Sequence, residues 1–350
     1  MSENTQIAEK KDFTTSLSQW SNEITGLIAR DYDACGVQFD EYSKQCAMEA
    51  MSSIYNLIKT NPKLNMQSLD TSNLRGIVER CASLKLNANA YPRECYFQLR
   101  NTKVGVDENG KDVWQQMIEM GIEGAGNDAI LTHYGRDVEQ VYPYWVVKEG
   151  DIYIPPKHKG IEVTPPEWEE KGLSQKTVRV VYPVKLKDGT VSYLSADRES
   201  VKINLLAHVR QNMMNETFGI VKGTKKDKYG KQVERTRYDA TPEELEAIKA
   251  EKEKILSALR ECETVDDMLK CEIAKPFMSG AWLDTPESMI VRKMCNNAIK
   301  KFPKNYNSMA SKAFLEMDEV YQQSQSEIEE NANSVEFVDC DVIESEKVVE

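Results

Sequence analysis

Apolar residues recur at three- and four-residue spacing over much of the first ninety positions, the period of one helix face. Leu17, Trp20, Ile24, Leu27 and Ile28 mark an amphipathic helix inside a weakly ordered arm over 1–40. From Glu41 to Lys59 the pattern is firmer, with Met48, Met51, Ile54, Tyr55 and Ile58 on one stripe. Asn61-Pro62 should end that helix, because proline pushes the residue before it out of the α region. Beyond the cap candidates Asp70 to Ser72, the positions of Leu74, Ile77, Val78, Cys81 and Leu84 predict a second helix, so 41–84 reads as an α-helical hairpin.

The period then changes. Cys95 to Val104 and Val138 to Ile154 are rich in β-branched and aromatic residues and are broken by turn signals at 107–110 and at Gly150-Asp151. Val178 to Leu186 and Val191 to Leu194, joined through Asp188-Gly189, predict a β-hairpin. Between the first two strand regions, Gly121, Gly124 and Gly126 precede a helix-like run through Ala129, Ile130 and Leu131. Thr241-Pro242-Glu243-Glu244 is a capping box with proline at the first helical position. It predicts a helix to about Cys262 with Leu245, Ile248, Ile255, Leu256 and Leu259 inward. Thr285-Pro286-Glu287-Ser288 starts another by the same logic, running through Met289, Ile290, Arg292, Lys293, Ala298 and Ile299 to Lys300-Lys301-Phe302-Pro303. The fold class is α+β, an antiparallel sheet with packed helices.

Composition narrows the chemistry. The chain of 350 residues has a mean hydropathy of −0.57 and no run approaching the roughly 18 apolar residues of a membrane span. Its polar first twelve residues offer no apolar segment for secretion, so the cytoplasm is the expected compartment. Eight cysteines, none in C-x-x-C spacing, read as free and mostly buried thiols, not as disulfides or zinc ligands. His133, His158 and His208 stand apart from any nucleophile motif. Gly121-x-x-Gly124-x-Gly126 lacks the G-K-[ST] of a phosphate loop, and a tight turn or close backbone approach accounts for it. Glu167, Glu169 and Glu170, or Asp266 and Asp267, are the acids nearest to a metal set, but adjacent carboxylates are common on a solvated surface helix. No cofactor and no metal are expected.

Charge changes the picture most. The total is −12, yet from Glu316 to Glu350 twelve acids face a single Lys347, so that stretch carries −11 and the first 315 residues only −1. Block charge of this kind marks a solvated, disordered tail over 316–350. Within the body, bases are interleaved with aromatics. Tyr91, Arg93, Tyr96, Phe97 and Arg100 cluster beside Lys103, and His133, Tyr134 and Arg136 follow the glycines. Arg292, Lys293, Lys300, Lys301 and Lys304 line the late helix with Phe302. Cations neutralise phosphates while aromatic faces stack unpaired bases; aromatics in a core and bases on a solvated face make the same pattern. Residues 222–237 add a local net of +5 around Gly230.

Three stretches resemble the RecT family of phage and prophage single-strand annealing proteins, related in architecture to Red beta. The first is Asp70 through Cys81-Ala-Ser-Leu-Lys-Leu86 to Tyr91-Pro92. The second is Gly121-Ile-Glu-Gly124 through Tyr134-Gly135 to Val146-Val147-Lys148-Glu149-Gly150-Asp151. The third and most specific is Gly280-Ala-Trp282, Met289, Arg292-Lys293 and Ile299-Lys300-Lys301-Phe302-Pro303. Together they span about 40–305. Where the family's second stretch has tyrosine and lysine this chain has Ile122 and Glu123, which argues against a phosphate contact there.

The resemblance implies a non-enzymatic protein that binds single-stranded DNA without ATP, assembles into rings or helical filaments of its own copies, and presents one strand to its complement. A partner exonuclease and a host single-strand-binding protein are the further partners it implies, with no membrane. The expected division is an arm over 1–40, an annealing core over 41–315 with a basic, helical insertion at 215–275, and the tail. The expected DNA contacts are Arg292, Lys293, Lys300, Lys301 and Lys304, then Arg136 and Lys148, then Arg93, Arg100 and Tyr96. Trp282 either stacks a base or is a buried aromatic that fixes the late helix. A Mg-dependent nuclease of a recombination module and a non-catalytic helical adaptor are the alternatives.

Overall fold

The computed structural model describes residues 3–61, 71–106, 112–226 and 230–317. The expected turn at 107–110 and the acidic tail from 318 onward lie outside them. In chain order the elements are α1 (Glu3–Ala34), α2 (Glu41–Thr60), α3 (Thr71–Leu84), β1 (Cys95–Val106), β2 (Asp112–Ile122), α4 (Gly124–Tyr134), β3 (Val138–Val141) and β4 (Trp145–Lys148). There follow β5 (Ile152–Ile154), β6 (His158–Lys159), β7 (Glu162–Val163), β8 (Glu167–Glu169), β9 (Thr177–Leu186) and β10 (Val191–Asp197). After them come α5 (Lys202–Asn212), β11 (Thr224–Lys226), β12 (Gln232–Glu234), α6 (Pro242–Glu261), α7 (Val265–Lys270), α8 (Gly280–Leu283) and α9 (Pro286–Lys300), and a last helix over 308–317. The fold is α+β, and its sheets are small and antiparallel.

Two compact units divide these elements. The first comprises Met1–Val201 with Asp284–Met317, and the second begins at Lys202 and closes at Leu283. The second is wider than the expected insertion at 215–275.

In the first unit, α1, α2, α3, β2, α4 and the last helix share one apolar core. Ile24, Ile28 and Tyr32 of α1 are buried in it, so the second half of the arm is anchored. In α3, all of Leu74, Ile77, Val78, Cys81 and Leu84 are buried. The stripe of α2 differs from the expected one. Met48 is 59% exposed, and Cys46, Ala47, Ala50, Met51, Ile54 and Ile58 face inward, because small residues let α2 approach its neighbours closely. Asp40 caps α2 by accepting from the Ser43 N–H at 2.8 Å, and Asn61 leaves the α region as the following proline demands.

β1 and β2 form a hairpin in which Cys95 pairs with Ile122 and Val106 with Asp112. No strand was expected over 112–122, whereas the helix-like run through Ala129, Ile130 and Leu131 is α4, with Gly124 and Gly126 in its first turn. The largest sheet is built on β9, which pairs with β10 on one side and with β3 and β4 on the other. A strand flanked on both edges and covered by α9 is buried as a continuous run, and Val180, Val181, Tyr182 and Val184 are all at most 1% exposed. The expected Asp-Gly turn closes β9–β10, with the Asp188 carboxylate accepting from the Thr190 N–H at 2.9 Å. Glu167 and Glu169 lie on strand β8, not on a surface helix.

In the second unit, the Thr241–Glu244 capping box is present at the start of α6, whose Ile248, Ile255, Leu256 and Leu259 are buried. Trp282 is 1% exposed, its ring 6.0 Å from that of His208, whose Nε2 accepts from the Ser279 N–H. Of the two roles open to Trp282, the buried one is realised.

Candidate nucleic-acid interface

The basic helix α9 is held by charge at its start and by packing along its length. Glu287 in its first turn accepts a two-pronged ion pair from Arg198, at 2.6 and 3.0 Å, and also accepts from the Thr177 N–H at 3.1 Å. Arg198 is 5% exposed and donates to the Thr177 carbonyl as well, so its charge is satisfied on every side. Ile290, Met294, Cys295, Ala298 and Ile299 form the buried face of α9.

α4 runs beside α9. Gly126 brings its first turn against β1: an added Cβ would lie 2.1 Å from the Glu94 carbonyl oxygen. Gly121 pairs with Tyr96, whose ring covers it, and a Cβ there would lie 2.2 Å from Tyr96 Cζ. Close approach is therefore what both glycines are for, as the sequence suggested. Asn127 of α4 donates to Asn296 of α9 at 3.3 Å. Below this seam, Tyr182 donates to Asp128 at 3.1 Å, and burial pushes the Asp128 carboxyl up to about 6 while that hydrogen bond opposes the rise.

At the start of the seam, Arg292 reaches Glu123 at 2.7 Å and Arg93 reaches the other oxygen of the same carboxylate at 3.6 Å. At its far end the chain after α9 joins the chain after α4. Arg136 N–H donates to the Pro303 carbonyl at 2.9 Å, Asn305 N–H donates to the Tyr134 carbonyl at 2.7 Å, and Arg136 Nε donates to Asn305 Oδ1 at 3.2 Å. Arg136, Lys300 and Lys301 thus come from segments 165 residues apart in sequence to one end of two helices. Lys300 and Lys301 are exposed and make no ion pair among the described residues. Lys293, half-buried and two turns before Lys300 on the same stripe, has its ammonium pushed below the usual range by burial and then by repulsion from Arg292.

The remaining expected contacts are engaged elsewhere. Lys304 donates to the carbonyls of Ile299, Lys300 and Phe302 at 3.1–3.4 Å, closing the C-terminus of α9, and burial lowers its pKa. Arg100 pairs with Glu119 at 3.1 Å across the β1–β2 hairpin. Lys148 ends β4 within 3.7 Å of Glu170. One face of Tyr96 is taken by Gly121, whereas Tyr91 beside Arg93 is wholly exposed. Asp151 of the Glu-Gly-Asp motif accepts from Lys171 N–H, Lys148 N–H and Trp168 Nε1, which holds its carboxyl below the usual range and ties β4, β5 and β8 together.

Sequence reasoning had not identified Arg198, Asn127, Asn296 or Asn305, each of which has a partner distant in sequence; Glu123 was visible only as a departure from a motif. For the nuclease alternative, no three His, Cys, Asp or Glu among the described residues come together as a metal site. Among the described residues no helix is long and apolar enough to cross a membrane. No family model matches this chain, and no curated protein matches its sequence.

Proposed function

We propose that this chain binds single-stranded DNA and anneals complementary strands without ATP, in the manner of the RecT proteins whose motifs it resembles, with an annealing-protein fold in its first unit. The observation that carries the reading is the pair Lys300 and Lys301: exposed, without an ion pair among the described residues, and next in the chain to Pro303 and Asn305, to which Arg136 is bonded, where the most specific motif ends. Annealing requires no bond making by the protein. It requires cations that offset the repulsion of two polyanions while the base edges stay open. Binding should then show little sequence preference and marked salt sensitivity. In this reading the chain assembles with its own copies into a ring or helical filament and works with an exonuclease and a host single-strand-binding protein.

The test is to mix complementary oligonucleotides with the protein and no ATP, and to follow duplex formation. Pairing several-fold faster than without protein is expected. Pairing at the unaided rate, from protein that is folded by circular dichroism, would discard annealing.

A further inference from the structure

We propose that Arg93 and Arg292 form a seat for one backbone phosphate of DNA, and that Glu123 fills it in the free protein as an internal anion. The inference rests on the single-strand-binding reading above. Arg93 precedes β1 and Arg292 lies on α9, yet both guanidiniums aim at one carboxylate, on opposite oxygens at 3.6 and 2.7 Å. A guanidinium presents the same fork of donors to a carboxylate and to a phosphate, so the geometry suited to the first suits the second.

Three observations make Glu123 a displaceable occupant. It stands at the N-cap of α4 but its side chain makes no capping hydrogen bond, so the arginines alone account for where the carboxylate points. Its backbone is fixed independently: the Glu123 N–H donates to the Glu94 carbonyl at 2.8 Å, and its own carbonyl accepts from Gly126 and Asn127. The side chain can therefore swing away without unravelling the helix. Finally, the side chains of Arg93 and Arg292 are 57% and 47% exposed, and ion pairs that open to water hold weakly. Beside them Gly124 leaves a bare backbone, where even a Cβ would come no closer than 3.8 Å to Arg292. An incoming strand exchanges its phosphate for the carboxylate, and the net charge of the free cluster, +1, becomes +2 toward DNA.

The test compares wild type with Glu123→Gln and Glu123→Ser for binding of a labelled oligothymidylate across a salt series, with thermal unfolding as the check of fold. The serine variant supplies α4 with a neutral cap and guards against a loss of helix stability in the glutamine variant. Both variants should bind about threefold to fivefold tighter at low salt. The slope of log affinity against log salt should steepen by up to about 0.7, because the displaced wild-type carboxylate takes up a salt cation that offsets the counterion release at that phosphate, and the variants have no such carboxylate. Adding Arg93→Gln and Arg292→Gln to Glu123→Gln should cancel the gain. If wild type binds and both folded variants bind no more tightly, the seat is refuted while the single-strand reading stands. If neither wild type nor variants bind the strand, both fall together. Replacing chloride by inorganic phosphate at matched ionic strength should leave the advantage of the variants in place. Its disappearance would assign the seat to free phosphate and overturn the assignment to DNA.

Discussion

Two basic regions of this protein look alike in sequence and differ in what their charges do. Residues 222–237, in the second unit, carry a local net of +5 and the greatest concentration of bases in the chain. Lys225 is paired with Asp239 at 2.5 Å and holds that carboxyl down at about 2, helped by the Thr236 N–H and hydroxyl. Arg235 is forked onto Glu244 at 2.7 and 3.0 Å, and Arg237 donates to the Met214 carbonyl. These three cations build their own neighbourhood, whereas Lys222 and Lys226 of the same stretch are exposed and make no ion pair among the described residues. At the end of α9, by contrast, Lys300 and Lys301 are exposed and make no ion pair among the described residues. Charge density in sequence counts cations; it does not say which are still available to a phosphate. A cation held by several partners should report on stability when removed, and one that is unengaged, or held only by a displaceable surface carboxylate, on binding.

The sharpest form of that contrast is Arg198, the most deeply engaged of the arginines discussed. Arg198→Ala leaves the Glu287 carboxylate and the Thr177 carbonyl without their partner, and should cost about 3 kcal/mol in urea unfolding. A loss below about 1 kcal/mol would mean that packing alone seats α9.

Asp128, under the α4–α9 seam, tests the cost of a charge that is engaged poorly. Its folded pKa, about 6, lies above the ordinary carboxylate value, so the folded state holds the proton more tightly than the unfolded chain. Stability from this group is therefore full below about pH 4 and is lost as pH rises through about 6. Asp128→Asn keeps an oxygen for the Tyr182 hydroxyl and should flatten that dependence, gaining on the order of 1–2 kcal/mol at pH 7 relative to pH 4. Parallel pH profiles for variant and wild type would show that the carboxyl is solvated.

Lys300→Glu with Lys301→Glu should weaken single-strand binding on the order of tenfold and make its salt slope shallower, with unfolding changed by no more than about 0.5 kcal/mol. Unchanged affinity in the folded double variant would remove these lysines from the interface. The smallest effect is expected from Arg235→Gln, at most about 1 kcal/mol in stability and none in affinity, because the Arg235–Glu244 pair lies near the surface. A clear loss of binding there would erase the distinction between the two regions.

Where the sequence was legible, the deciding physics is local. The capping box at Thr241 and the Asp-Gly turn at 188–189 depend on groups within about four residues of each other, and both are where the pattern placed them. α3 repeats its apolar residues so regularly that its buried face could be read directly. α2 shows the limit: weighting by hydrophobicity favours Met48, whereas the packed face is chosen by the closeness of α3 and falls on Cys46, Ala47 and Ala50. β2 was missed, although turn signals stand before it at 107–110, because its eleven residues acquire strand character by pairing with β1.

The candidate interface divides in the same way. That bases gather on α9 and that the acidity belongs to the end of the chain are facts of sequence. Only the tertiary structure decided that Lys304 closes a helix, that Arg100 and Lys148 face Glu119 and Glu170, that Arg93 and Arg292 converge on Glu123, and that Lys300 and Lys301 stand apart. The reason is the range of the interactions. Caps and helical periods act between neighbours along the chain, while an ion pair depends on distance in space, and Arg292 finds its carboxylate 169 residues away.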